Sequence, residues 1–85
     1  MPELMDLPNI SIVLSKLLME AGVDSPQTLK DLGTKEAFMR VKMKDPTACF
    51  CKLCAIEGAI QGVRWHHLEA QVKNDLRAFF DSLKN

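Results

Sequence analysis

Apolar residues recur along this chain at helical spacing in five segments, separated by short polar or Gly/Pro-containing breaks. In the first, Ile10, Leu14, Leu17, Leu18 and Ala21 share one face, and Ser15, Lys16 and Glu20 lie on the wet side. Asn9 or Ser11 is the expected N-cap, and Gly22 the C-cap. Ser25-Pro26 reads as N-cap and N1 of a short second helix carrying Leu29 and Leu32, which stops at Gly33. Thr34 is expected to cap a third helix, with Ala37, Phe38 and Val41 inward and Lys35, Arg40, Lys42 and Lys44 outward. Asp45-Pro46 ends it, because the residue before proline is pushed out of the helical region.

The fourth segment is expected to run as a helix from about Thr47 to Val63, capped by Asp45 or Thr47. It has two apolar faces. Cys49, Leu53, Ile56, Ile60 and Val63 form a large-residue face, and Cys51, Ala55, Gly58 and Gly62 form a stripe of small ones nearly opposite. Glu57, Gln61 and Arg64 occupy a narrow polar sector. So little polar surface places this helix at the centre of the fold. Glycine costs roughly 1 kcal/mol relative to alanine inside a helix. Two of them require a close backbone approach, or a helix end near Gly62. The last helix, about Glu69 to Leu83, carries a stripe of Leu68, Val72, Leu76, Phe79, Phe80 and Leu83. No segment alternates with period two, and no Asn-Gly or Asp-Gly hairpin turn occurs. The expected fold is all-α, a compact five-helix single domain over residues 1–85, with residues 1–6 flexible and Asn85 a frayed end.

Composition narrows the function. Eleven basic and eleven acidic residues balance, so no global field draws the chain to nucleic acid or a membrane. Aromatic residues are few and tyrosine is absent, which leaves no stacking platform for single strands. Met1 to Leu7 has no signal-peptide core, and no run reaches the roughly 18 apolar residues of a membrane span. Three cysteines, all within C-F-C-K-L-C at 49–54, cannot make a disulfide framework. They fit a reducing, cytoplasmic setting.

Those cysteines are also the first candidate chemistry. Cys51 and Cys54, with His66 or His67, could share a metal ion, but Cys49 projects to the other side of the helix. Free cysteine packs as a small hydrophobe, and burial in the two apolar faces is the expectation, with no metal and no cofactor. Trp65 is expected to close the core against Leu68 and the last helix, and His66 and His67 to form a solvated turn. Glu57 can reach Gln61 one turn on. No carboxylate pair, nucleophile–base set or phosphate-cradling loop appears, so the chain is expected not to be an enzyme.

Two surfaces remain as candidate sites. Leu7-Pro8-Asn9-Ile10-Ser11 resembles the turn of a helix-hairpin-helix element, where helix N-terminal amides hold a DNA phosphate. Asn9 and Ser11 are therefore candidate nucleic-acid contacts, together with the basic residues Lys35, Arg40, Lys42 and Lys44 of the third helix. Ile12, Val13 and Met19 are apolar yet off the core face. They are expected to meet another helix of the same domain, or else to form a partner or self-association surface, the chain being a monomer or weak homodimer.

Several motifs in order resemble the C-terminal domain of the TfoX/Sxy competence regulators. They are L-P-N-I at Leu7 to Ile10 and A-G-V-D-S-P-Q-T-L-K-D-L-G at Ala21 to Gly33. C-A-I-E-G-A-I-Q-G-V-R-W-H-H-L at Cys54 to Leu68 and K-N-D-L-R-A-F-F at Lys73 to Phe80 follow. The resemblance implies an all-helical fold related to helix-hairpin-helix (SAM-like) domains. It also implies regulation of DNA-uptake genes through a protein partner, either transcription machinery or a CRP-type (cyclic-AMP-receptor-type) activator, with weak or no direct DNA contact. Family regulators carry a separate N-terminal α/β domain, so the chain is expected to be a stand-alone C-terminal domain. Ser11 replaces the second glycine of the hairpin motif.

Overall fold

In the computed structural model, residues 4–83 are described. They form five α-helices: α1 (Ile12–Glu20), α2 (Pro26–Leu32), α3 (Thr34–Lys44), α4 (Phe50–Gln61) and α5 (Ala70–Ser82). Short 3-10 turns at Leu4–Asp6 and Trp65–His67 precede α1 and α5. No strand occurs among the described residues, and the all-α, five-helix expectation holds. The side chain of Leu4 is buried. Met1 to Glu3, Lys84 and Asn85 lie outside the described residues.

α4 is the central helix. Leu53, Cys54, Ile56 and Ala59 are buried along it, and α3 and α5 pack on it with Phe38, Val41 and Leu76. Phe80 of α5 meets Phe38 with ring centroids 6.0 Å apart and Phe50 at 5.8 Å, both tilted or edge-on. Such geometries suit the ring quadrupoles better than face-to-face stacking. α1 lies on α3 through Leu14 and Leu18, and α2 closes the top with Leu29.

The breaks follow local chemistry. Ser11 caps α1, its Oγ accepting the Leu14 amide at 3.2 Å, and Ser25 caps α2 in the same way through Thr28. Gly62, at φ 78° and ψ 26°, ends α4. The Val63 amide donates to the Gly58 carbonyl and the Gly62 amide to Ala59, the two bonds of a Schellman cap.

Four expectations are corrected. α4 starts at Phe50, not near Thr47, because Asp45 turns its carboxylate onto the Thr47 amide and hydroxyl and holds that residue in the loop. These bonds also draw the Asp45 pKa down. Gly33, not Thr34, is the N-cap of α3. Thr34 is its first residue, and its hydroxyl donates to Glu57 of α4 at 2.8 Å. Ser15 is buried rather than wet, its hydroxyl returned to the Ile12 carbonyl. Trp65 does not close the core. It is 36% exposed and stacked on His66, with ring centroids 4.3 Å apart.

Candidate functional site

The site begins with Asn9. Its φ of 70° is in the left-handed region, the only such non-glycine residue among those described. Asparagine tolerates that conformation better than most residues. The turn aims its side chain at the residues that follow α4. Nδ2 donates to the Val63 carbonyl at 2.9 Å, and Oδ1 accepts the Trp65 amide at 3.2 Å. The turn before α1 is thereby fastened to the turn after α4. Gly58 makes the fit possible: a Cβ there would stand 2.5 Å from Asn9 Nδ2 and 2.7 Å from the Val63 carbonyl oxygen. The close backbone approach that its place in the helix demanded is this one.

The fastening forms one wall of a surface groove of about 410 Å³. α1 contributes Val13, Leu14 and its cap Ser11. The start of α4 contributes Cys49, Cys51, Lys52 and Ala55, and the following turn adds Arg64, Trp65 and His66. The lining is apolar along Val13, Leu14, Ala55 and Trp65, and its charged members, Lys52 and Arg64, are cations. Lys73 stands at the rim, its Nζ donating to the His66 carbonyl at 3.3 Å and lying 6.0 Å from the Trp65 ring centroid. The first amides of α1 have no acceptor within the helix and lie at the same place.

The cysteines depart from the expected burial. Only Cys54 is in the core; Cys49 and Cys51 are exposed and line the groove. Cys49 is the N-cap of α4 and not part of its helical face, so the wheel that assigned it to the core does not apply. The Lys52 amide, then the Cys51 amide and the Lys52 charge, favour its thiolate and lower its pKa. Burial raises that of Cys54. Among the described residues no group of three or more His, Cys, Asp or Glu side chains is arranged to hold a metal ion.

The six candidate nucleic-acid contacts do not converge. Asn9 is committed to its two structural bonds, and Ser11 caps α1 at the groove. The basic residues of α3 lie elsewhere. Arg40 and Lys44 border a hollow with Glu20 and Ala21 at the opposite end of α1, a helix length of roughly 13 Å from Ser11. Arg40 also pairs with Glu36 at 3.1 Å. Lys35 sits 5.5 Å from the Phe79 ring centroid. Lys42 donates to the Pro46 carbonyl and lies 5.9 Å from Phe80.

The partner-surface residues are all exposed, Ile12 by 57%, Val13 by 62% and Met19 by 59%. Val13 faces the groove, while Met19 borders a second hollow with Leu4, Met5 and Asp24. Sequence reasoning missed Lys52, Arg64, Trp65 and His66 as one site. Only the Asn9 fastening brings them beside α1.

Comparison with known proteins places this geometry in a family. A family model described as the TfoX C-terminal domain matches residues 1–80. Protein Sxy of Escherichia coli (strain K12) is 32% identical over 80 residues, covering 94% of this chain. The chain spans 38% of the length of that curated relative. A crystal structure of an uncharacterized protein from Listeria monocytogenes, in a triclinic form, superposes with a TM-score of 0.96 at 46% identity, over 98% of this chain and 94% of that one. A tetragonal form of a Listeria monocytogenes protein of unknown function gives 0.93 at 47% identity, over 95% and 99%. The chain belongs to the TfoX C-terminal domain family.

Proposed function

We propose that this domain is a cytoplasmic regulatory module in the control of competence and DNA-uptake genes. It acts by holding a protein partner, transcription machinery or a CRP-type activator, and is a binding module rather than an enzyme. The observation that carries this reading is the start of α1. Ile12 and Val13 are each more than half exposed there, beside a groove with apolar walls and a cationic rim. Adjacent apolar residues left open beside a groove suit an interface core with a polar rim. The Sxy relative supports the regulatory half.

The test replaces Ile12 and Val13 by Asp together. Both side chains point away from the core, so the melting temperature is expected to change little, while capture of the purified CRP-type activator and expression from a competence-promoter reporter are lost. Unchanged capture and reporter activity reject this surface.

A second reading, nonspecific DNA binding, is favoured by one observation: the N-terminus of α1, at Ser11 and Val13, lines the same groove as Lys52 and Arg64. It requires binding to a short duplex that weakens steeply with salt.

A further inference from the structure

We propose that Cys49 is a reactive thiol that forms a mixed disulfide with small anionic disulfides collected by the cationic groove beside it. The proposal is independent of the regulatory reading. Three observations carry it. Cys49 and Cys51 are exposed and open on the same groove, while Cys54 is buried. The charged side chains lining the groove are Lys52 and Arg64, with Lys73 at the rim. Asp45 is close enough to Lys52 to interact with it but is not part of the lining. And the groove, at about 410 Å³, falls within the range of small-molecule sites.

The position of Cys49 separates it from its neighbour. It caps α4 in extended backbone, φ −102° and ψ 174°, with no side-chain hydrogen bond capping the helix. The nearby Lys52 and Cys51 amides and the Lys52 charge nevertheless favour the thiolate and lower its pKa. Exposed thiols of this kind, in an electropositive setting, are the ones that exchange. Cys54, whose pKa is raised by burial, is not accessible to a disulfide.

The step balances without a further reagent. The Cys49 thiolate attacks one sulfur of R–S–S–R. The new sulfur–sulfur bond forms as the old one breaks, and R–S⁻ leaves with the electron pair and takes a proton from water. Cys49 is oxidised and the small disulfide is reduced to one free thiol.

The test compares two reduced, full-chain variants, Cys51→Ser, which keeps Cys49, and Cys49→Ser, which keeps Cys51. Serine is a favoured N-cap, so the second variant is expected to fold, and circular dichroism checks both. Each is mixed at neutral pH with glutathione disulfide, which is anionic, or with bis(2-hydroxyethyl) disulfide, which is neutral, and adducts are followed by intact mass. Cys51→Ser is expected to add one glutathione roughly threefold or more faster than Cys49→Ser, since a larger thiolate fraction is partly offset by lower nucleophilicity. That advantage should be larger for the anionic disulfide, and Lys52→Ala with Arg64→Ala should remove the charge preference. Equal rates for the two variants, a faster Cys51, or the same ratio with both disulfides overturns the proposal.

Discussion

Asn9 does two things that no other side chain could do together at its position. It accepts a left-handed backbone, and it satisfies one carbonyl and one amide of the turn after α4. Alanine would lose both bonds and keep the strain. With about 1 kcal/mol for each of the two hydrogen bonds and about 1–2 kcal/mol for alanine's poorer tolerance of the left-handed region, Asn9→Ala is expected to destabilise by about 3–4 kcal/mol. Asn9→Gly, which relieves the backbone alone, should recover part of that, and urea denaturation of the pair separates the two contributions. Gly58 sets propensity against sterics. Alanine would gain about 1 kcal/mol as a helix residue, but its Cβ would stand 2.7 Å from the Val63 carbonyl oxygen, a backbone atom that cannot turn away. Overpacking wins, and Gly58→Ala is expected to lower stability by about 1–3 kcal/mol. A more stable variant would mean that the turn after α4 does not press on Gly58 in solution.

At the scale of the elements, Thr34 ties α3 to α4 more specifically than their apolar contact does. Its hydroxyl meets the Glu57 carboxylate, which also accepts from Gln61 at 2.6 Å. Thr34→Val keeps the shape and removes the donor. A bond to a half-buried charge is worth about 1–2 kcal/mol; the unfolding free energy should fall by that much, read as a lower denaturation midpoint with an unchanged slope. The first four helices were legible because each carries punctuation at one end or both, and α5 through its apolar stripe alone. Ser11, Ser25-Pro26, Gly33 and Gly62 each sit where a helix begins or ends. The apolar spacing of Leu14 and Leu18, of Ala37, Phe38 and Val41, and of Leu53 and Ile56 marks the buried faces correctly. The start of α4 was not legible. Periodicity extends smoothly back through Cys49 to Thr47, and only the Asp45 side chain, bonding to Thr47, decides that the helix waits until Phe50. Shifting that boundary turned Cys49 from a core residue into an exposed cap. Trp65 failed for a related reason: the Schellman cap at Gly62 redirects the chain, and the ring comes out on the groove.

For the whole molecule, the groove joins the start of α1 to residues more than fifty positions away, Asn9 bonding across 54 positions to Val63 and 56 to Trp65. No spacing rule reports such a pairing, so Ser11 and Val13, and separately His66, were readable as candidates while their assembly with Lys52 and Arg64 was not. The same assembly fixes what DNA could offer. The slope of log affinity against log salt is about −0.9 per phosphate neutralised. Lys52 and Arg64 are the lysine and arginine lining the groove, whereas Arg40 and Lys44 lie by Glu20 and Lys42 is bonded to Pro46. Counting Lys73 at the rim, and with a balanced net charge, any affinity for a short duplex is expected to be weak, with a slope no steeper than about −3. Amide shifts should then be confined to the groove and absent from α3. A slope near −4 would need the α3 cations as well. Obtained together with shifts at Lys35 to Lys44, it would make DNA, and not a protein partner, the main target of this domain.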